Sequence, residues 1–317
     1  MAERLENLFT GYWRYLALRA ACKLDLFEHI ASGSVSVNGL ARTTGSDVSA
    51  MRHLVMALVH DGFLEEHDHG LSLSPEAARL CADHPQSVKH ACLMWGEEHM
   101  DTWQHLDMSI RSGQAAFPKL FGAPFFRYLD VHPERAREYH KAMFSYAQQD
   151  YAGIGEVLAL GQHSSVMDVG GGNGALADAL RTRYPGVSIS IFDIQDHRTP
   201  STRDVPFIQG DFFVAVPSGS DALLLSRVIH DWDDAQALQI LRNCHSALPP
   251  GGALFLIEND LSLLGDGGHL LSLNMLAICG SRERSVQEYQ QLLESSGFRV
   301  QGLAHHGKQA IIKTVRA

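Results

Sequence analysis

The sequence predicts an α/β protein with two domains: a mostly parallel sheet in the C-terminal half, preceded by a mainly helical domain that contains a winged-helix module. The first observation is length, because 317 residues exceed what one ordinary core holds. The second is helical spacing of apolar residues in the first half. The third is an alternation of strand and helix patterns from about residue 164. We therefore expect domains at 1–150 and 151–317.

Composition narrows the class of protein. Hydrophobic residues make up 45% and charged residues 20%, which indicates a folded chain. The net charge of −10 disfavours a nucleic-acid partner. Five cysteines without a C-x-x-C pair indicate neither a disulfide framework nor a structural zinc site. The N-terminus lacks a signal-peptide pattern and no apolar run approaches the ~20 residues of a membrane span, so a cytoplasmic location is expected.

The N-terminal elements follow in order. Residues 5–31 carry apolar residues at helical spacing, and residues 36–62 predict two short helices with Ser36 as a cap and Gly62 as a stop. A two-stranded wing should come next. The helix that would read DNA has one arginine, Arg52, and no lysine, so a protein–protein scaffold is favoured. An apolar first helix beside such a module is typical of a dimer interface.

Residues 86–160 are predicted to be largely helical, with loops near Gly113 and Gly122. These helices are rich in large side chains, including Met94, Trp95, Trp103, Tyr139, Met143 and Tyr146. Such a stripe is usually core, but helices that adjoin the next domain also suit the roof of a ligand pocket.

The C-terminal half predicts strands at 164–169, 187–193, 207–209, 222–228 and 253–258, and helices at 175–184, 233–248 and 285–296. Two closing strands should follow. In sheets of this kind ligands bind beyond the carboxyl ends of the strands, so the loops at those ends are where functional residues are expected.

The strongest motif is VMDVGGGNGALADAL, in which Gly170, Gly171, Gly172 and Gly174 connect a strand to a helix. Glycines permit positive φ and close approach of a ligand to the backbone. The helix N-terminus offers free N–H groups to an anionic part of the ligand. The pattern therefore predicts a nucleotide-like cofactor.

The loop alone leaves the cofactor open, because Gly170-x-Gly172-x-x-Ala175 also satisfies a loose dinucleotide pattern. Asp168 argues against a pyrophosphate and suits the ammonium and sulfonium of S-adenosylmethionine. Asp193, at the end of the second strand, is placed for ribose hydroxyls with either cofactor. Asp211 could accept from an adenine amine, and Phe212 could cover the ring, although Asp211 is equally a turn residue.

The second motif is LLLSRVIHDWDDAQALQILRNCHSALPPGG. It places His230 after the fourth strand, on the expected ligand edge, with Glu258 ending the next strand. A histidine at that position is a candidate general base.

Taken together, DVGGGNG, GDFF, HDWDD, LPPGG and GSRERS resemble the class I S-adenosylmethionine-dependent O-methyltransferases of the caffeate and chalcone type, over nearly the whole chain. The resemblance implies a Rossmann-like methyltransferase domain, a dimerising winged-helix domain and a homodimer. It implies His230 as the base, with Glu258 and Glu283 beside it, and a hydroxylated small aromatic substrate. Cofactor-binding roles fall on Asp168, Gly170, Gly172, Asp193, Asp211, Phe212, Ser226 and Arg227, and substrate-binding roles on Met94, Trp95, Met143 and Met275.

Position 226, often lysine in the plant enzymes, is serine here, and Trp95 and Arg227 also depart from the plant pattern. A plant phenylpropanoid substrate is therefore not assumed. No metal site is expected, because His67 and His69 lie in the wing and His305 and His306 near the last strands. Three alternatives stay open: methylation of carbon or nitrogen, a DNA-binding regulator with a degenerate cofactor domain, and an NAD-linked oxidoreductase.

Overall fold

The computed structural model describes residues 2–33 and 35–317. The chain folds into two compact units, Met1–Asp101 with Pro133–Tyr146, and Thr102–His132 with Ala147–Ala317. The chain thus passes twice into the second unit. Among the described residues, no helix is both long enough and apolar enough to cross a membrane.

The N-terminal helices and the hairpin follow in the predicted order. Ser36 caps its helix by accepting the N–H of Gly39 at 3.1 Å, and Asp47 caps the next by accepting the N–H of Ala50 at 2.8 Å. The two strands pair antiparallel. The elements are α1 (Ala2–Lys23), α2 (Leu26–Ala31), α3 (Val37–Thr44), α4 (Val48–His60), β1 (Leu64–His67), β2 (Gly70–Leu73), α5 (Pro75–Ala78) and α6 (Lys89–Trp95).

One apolar core holds this part of the first unit together. Phe27, Leu40, Met51 and Leu58 are fully buried and come from α2, α3 and α4. Helices then continue to residue 150, ten residues short of the predicted end at 160, and a 3-10 turn at Ile154–Glu156 follows. They are α7 (Glu98–Trp103), α8 (Leu106–Ser112), α9 (Phe117–Phe121), α10 (Phe125–Val131) and α11 (Pro133–Asp150).

The second unit is built on a seven-stranded sheet of order β5-β4-β3-β6-β7-β9-β8. Its strands are β3 (Ser165–Val169), β4 (Ser188–Asp193), β5 (Phe207–Gln209), β6 (Ala222–Ser226), β7 (Ala253–Asn259), β8 (Phe298–His306) and β9 (Gln309–Arg316). The first five pair parallel, and β9 pairs antiparallel with β7 and β8. The predicted mostly parallel sheet is confirmed.

Helices connect the strands: α12 (Ala175–Arg183), α13 (Asp234–Ala247), α14 (Asp266–Cys279) and α15 (Val286–Ser295). Every residue of β6 is buried, as expected for a strand at the centre of a covered sheet. Two apolar clusters pack on its opposite faces, one around Leu225 and Tyr289 and the other around Leu224 and Leu180. This rigid sheet fixes the loops at its carboxyl edge.

Three elements differ from the prediction. The helical pattern of residues 5–31 is interrupted, because Asp25 has a left-handed φ of 52 and separates α1 from α2. β6 ends at Ser226 rather than at Val228, because Arg227 has φ 57 and leaves the extended conformation. The helix α14 is not predicted from the sequence, and it begins at a Gly265 N-cap without a side-chain cap bond. Its start lies in a glycine-rich stretch, GDGG, and such stretches usually mark a loop.

Candidate active site

The predicted functional loops meet at one edge of the sheet. β4, β3, β6 and β7 run parallel and are neighbours, so their carboxyl ends lie side by side. The glycine loop follows β3, Asp193 ends β4, and the segment with His230 follows β6. The structure therefore brings these two motifs to adjacent positions, although Gly174 and His230 are 56 positions apart along the sequence.

The glycine loop is held in a conformation that other residues rarely adopt. Gly170 has φ 73, and its N–H donates to the carbonyl of Phe192 at 2.8 Å, which joins the loop to β4. A Cβ atom at Gly170 would lie 2.8 Å from a methyl carbon of Val228 and 3.5 Å from the ring of Phe212. Gly170 therefore has no room for a side chain where the glycine loop approaches Val228 and Phe212.

Asp168 is buried beneath this loop with only 1% of its surface exposed. Its Oδ2 atom has no hydrogen-bond partner among the described residues. Burial, aided by the charge of Asp193, raises the pKa of Asp168 to about 7. A Cβ at Gly171 would lie 2.7 Å from that Oδ2. The lack of a side chain at Gly171 thus makes room for the Asp168 carboxylate itself. A cationic group could supply the donor that Oδ2 lacks.

The next two carboxylates lie at the ends of neighbouring strands. Asp193 accepts the N–H of Gly172 at 2.9 Å and that of Ile194 at 2.7 Å, and burial raises its pKa despite these bonds. Asp211 follows β5 and accepts the N–H of Phe213 at 2.8 Å. Asp211 is therefore a turn residue in this structure, and its predicted contact with adenine stays a prediction.

Phe212 is fixed by aromatic packing beside the glycine loop. Its ring lies 5.0 Å from that of Phe213 and 5.9 Å from that of Trp232, in edge-on geometry. Its carbonyl accepts from the Asn243 side chain at 2.7 Å. This packing orients the ring next to Gly170, where it is available to cover a flat group.

His230 lies on a short 3-10 turn, Ile229–Asp231, rather than on the strand itself. Its Nδ1 is 2.7 Å from Oε2 of Glu258, and both residues are buried. The second oxygen of Glu258 accepts backbone N–H groups of Val228 and Ile229 at 3.0 and 2.7 Å. Glu258 thus fixes both the imidazole and the turn that carries it.

The charges around His230 favour its protonated form. Burial and the Arg227 guanidinium act to lower the pKa of His230, but the carboxylates of Asp231 and Glu258 outweigh them and raise it above its ordinary value. Asp231 Oδ1 lies 3.3 Å from Nε2, and Glu258 faces Nδ1. The pKa of Glu258 is lowered: its burial opposes ionisation, but the nearby His230 and Arg227 favour it. His230 is therefore a strong base that is held in place by the ionised carboxylate of Glu258.

Arg284 is a structural residue of this site to which the sequence alone assigns no role. It is 1% exposed and donates to the carbonyls of Ile229 at 3.0 Å and Trp232 at 2.8 Å, and to Asp234 at 2.7 Å. It therefore clamps the turn on both sides of His230. Arg284 belongs to the GSRERS motif, which is the signal in the sequence that could have identified this residue. The motif marks the family and does not by itself give a role to the arginine.

Three further predicted residues lie around the same turn. Ser226 accepts or donates a hydrogen bond with the Tyr151 hydroxyl at 2.8 Å. The Arg227 guanidinium lies 3.5 Å from Glu283 and 3.7 Å from Glu258. Glu283 thus meets the His230–Glu258 pair through Arg227. The cofactor-binding roles predicted for Ser226 and Arg227 stay predictions.

The predicted acceptor residues are distributed over the two units. Met94, Trp95 and Met143 belong to one cluster of the first unit, in which the Trp95 indole N–H donates to the Tyr146 hydroxyl at 2.8 Å. Met275 lies on α14 of the second unit and is 7% exposed. Their roles in binding an acceptor stay predictions.

The described part of the chain contains no group of three or more His, Cys, Asp or Glu side chains that could hold a metal ion. His67 contacts the Ser72 hydroxyl at 2.9 Å, and His305 contacts Asp260 at 3.2 Å. Both histidines therefore have ordinary polar partners.

Family models match both parts of the chain. Residues 103–299 match the O-methyltransferase domain, and residues 6–83 match the O-methyltransferase dimerisation domain. The chain is 31% identical to phenazine O-methyltransferase PhzM of Lysobacter antibioticus, with 93% of this chain and 90% of that protein covered. It is 33% identical to 3-amino-4-hydroxybenzoate 4-O-methyltransferase of Streptomyces cremeus, with 94% and 85% covered.

Solved structures agree with the sequence matches. The structure of LaPhzM has a TM-score of 0.92 and 29% identity, and 100% of this chain and 99% of that chain are covered. Human N-acetylserotonin methyltransferase in complex with SAM has a TM-score of 0.90 and 26% identity, with 100% and 98% covered. The similarity therefore extends over both units.

Proposed function

The chain belongs to the family of S-adenosylmethionine-dependent O-methyltransferases, and we propose that it methylates a phenolic hydroxyl of a small aromatic natural product, with His230 as the general base. One observation carries the proposal: the buried contact of 2.7 Å between His230 Nδ1 and Glu258, on a turn beside the glycine loop. Methylation of carbon or nitrogen remains the alternative. A phenolic hydroxyl gains most from a base that removes its proton during attack, whereas a neutral amine attacks through its own lone pair and loses its proton afterwards.

The contact with Glu258 decides which nitrogen acts. Because Glu258 is ionised and accepts from Nδ1–H, the lone pair of a neutral His230 resides on Nε2. Nε2 is then the atom that takes the acceptor's proton. A phenol has a pKa of about 10 and a free imidazole about 6.5, so proton transfer is uphill by roughly 5 kcal/mol. Carboxylates that strengthen the base reduce this gap.

The residues of the glycine loop fit S-adenosylmethionine. When bound, this cofactor supplies a methyl group on a positively charged sulfonium. The unsatisfied, buried oxygen of Asp168 suits a cationic ligand, and a side chain at Gly171 would collide with that oxygen. Asp193 and Asp211 would hold the ribose and the adenine, with Phe212 against the adenine ring. The peptide N–H groups that begin α12 would receive the ligand's carboxylate.

The names of the two sequence relatives support an aromatic acceptor, because one acts on a phenazine and the other on a hydroxybenzoate. We infer a homodimer from the match to a dimerisation domain and from α1. That helix exposes five large apolar residues at helical spacing, Leu5, Leu8, Phe9, Tyr12 and Trp13. A cytoplasmic location is also proposed, and the free thiols of the five cysteines support it.

Two experiments test the proposal. Calorimetric titration should show micromolar binding of S-adenosylhomocysteine and none of NAD; binding of NAD alone, or of neither, contradicts the cofactor assignment. Methyl transfer to a panel of hydroxylated aromatics, followed by mass spectrometry, then tests the reaction. Salt-dependent binding of duplex DNA would favour the regulator alternative instead.

The base is tested by His230→Ala. We expect unchanged affinity for S-adenosylhomocysteine and a loss of turnover of about 10²–10⁴-fold, the usual contribution of a positioned base. His305→Ala is the matched control, since His305 also contacts a carboxylate but lies outside the site. Equal turnover of wild type and His230→Ala would remove His230 from the mechanism.

A further inference from the structure

Arg227 has an unusual backbone for a bulky residue. Its φ is 57, in the left-handed region that such side chains seldom occupy. Its N–H still donates to the carbonyl of Ile257 at 2.9 Å, so the sheet contact is kept while the chain turns. Strained residues of this kind persist only where their surroundings hold them, and they concentrate at functional sites. The side chain indicates what the turn is for.

The guanidinium of Arg227 points into a set of acceptors, with a quarter of the side chain exposed. Both terminal nitrogens lie 3.5 Å from Oε1 of Glu283. When the Asn259 amide is oriented with its oxygen toward the guanidinium, it accepts at 2.7 and 3.2 Å. Glu258 Oε2 lies 3.7 Å away. Arg227 is therefore the cation between two carboxylates that are each 1% exposed.

Arg227 and His230 share one carboxylate oxygen. Oε2 of Glu258 is 2.7 Å from His230 Nδ1 and 3.7 Å from an Arg227 nitrogen. An anion favours the imidazolium form of a histidine and a nearby cation opposes it. A base for a phenol must be strong, yet it must also be neutral when the acceptor arrives. Arg227 provides the opposing charge.

Other charged or titratable groups also face this cluster. Asp231 contacts His230 from the same turn, and the Arg284 guanidinium donates to the carbonyl of Ile229 from the segment before α15. Glu283 and Tyr289 of α15 also face the cluster, as does Cys279 of α14, 4.0 Å from Asp231. On the other side of Arg227, Asp150 and Tyr151 at the end of α11 interact with its charge. Among the cations of the described residues, Arg227 lies nearest to Glu258 Oε2, the oxygen that contacts His230.

We propose that Arg227 is a positioning residue for the reaction: it holds the Glu258 and Glu283 carboxylates in place, and it limits how tightly Glu258 makes His230 retain a proton. The inference rests on the proposed role of His230 as base, and it assigns Glu283 an indirect role through Arg227. It does not require Arg227 to contact the cofactor.

The test measures the protonation of His230 without requiring turnover. The ¹³Cε1 resonance of His230, identified by its loss in His230→Ala, is followed from pH 5 to 11 in the whole protein. Arg227→Met should raise the titration midpoint by about one pH unit or more, a tenfold change in proton affinity. Glu283→Gln should lower it, because Arg227 is then less compensated. A wild-type midpoint in either folded variant overturns the proposal.

The double variant Arg227→Met/Glu283→Gln tests whether the two opposite charges compensate each other. It also keeps the proposal testable if the single Arg227 variant does not fold. It removes one cation and one anion, so the midpoint should return to within about half a unit of wild type. A midpoint that stays raised contradicts the proposal. Arg282→Met is the matched control, because Arg282 pairs with Glu288 and Asp234 and should leave the midpoint unchanged.

A pH profile of kcat/KM for the acceptor gives a second, separable readout. In Arg227→Met the acidic limb should move to higher pH, and Arg227→Lys should restore part of the shift. A merely structural role would lower the plateau without moving the limb. A shifted resonance in a protein that methylates no hydroxyl would refute the proposed function, while still showing that Arg227 sets the proton affinity of His230.

Discussion

Glu258→Gln is the sharpest test of the catalytic geometry, because it changes charge while keeping shape. Glu258 is 1% exposed, and its Oε1 accepts the N–H groups of Val228 and Ile229, which a glutamine oxygen can also do. The amide nitrogen then faces His230 Nδ1. Since the amide nitrogen of glutamine only donates hydrogen bonds, His230 Nδ1 must accept, and the imidazole proton moves to Nε2. The variant should therefore fold with the wrong tautomer at its base.

The magnitude follows from two losses. The charge-assisted bond from Nδ1, 2.7 Å long, contributes about 1.5–3 kcal/mol. A base in the wrong tautomer forfeits most of the about 10²–10⁴-fold that general-base catalysis supplies. We expect kcat to fall by about 10²–10⁴-fold, with the affinity for S-adenosylhomocysteine unchanged.

The assay is steady-state methyl transfer with calorimetry for the cofactor product and circular dichroism for folding. Asp260→Asn is the matched control, because Asp260 is a neighbouring carboxylate on the same segment that contacts His305 and not His230. Its kcat should stay close to that of wild type. A folded Glu258→Gln variant with kcat near wild type would refute the tautomer argument.

Three further predictions follow from the same structure. The pKa of Asp168 is raised to about 7, so its burial lowers the stability of the protein as pH rises above the pKa of about 4 that this group has in the unfolded chain. Asp168→Asn should therefore increase the free energy of unfolding at pH 8, by up to about 4 kcal/mol, and leave it unchanged at pH 4. Thermal melts at both pH values measure the difference. Asp231→Asn removes a carboxylate 3.3 Å from His230 Nε2, so the acidic limb of kcat/KM should move to lower pH; a limb that stays in place contradicts the pairing. Leu8→Glu with Trp13→Glu places charge on residues that are 74% and 60% exposed, and sedimentation should then show a monomer where wild type is a dimer.

The sequence by itself determined the fold class and the position of the site along the chain. Alternating strand and helix patterns from residue 164 onward predicted the parallel sheet because periodicity and glycine turns are local properties. The cap at Ser36 and the glycine loop were equally local and are present as predicted. Since parallel strands end at one edge, the order of motifs also predicted that the glycine loop and His230 would lie near each other.

Only the tertiary structure decided how the site is charged and held. Glu258 was predicted to lie beside His230, but its bonds to the backbone of the turn depend on β6 and β7 being neighbours. Arg284 and Arg227 acquired roles only when segments more than 50 residues apart came together. Burial makes these charges matter, because an unpaired ion is far less stable away from water. Burial and long-range pairing are properties of the folded chain, and no local pattern in the sequence encodes them.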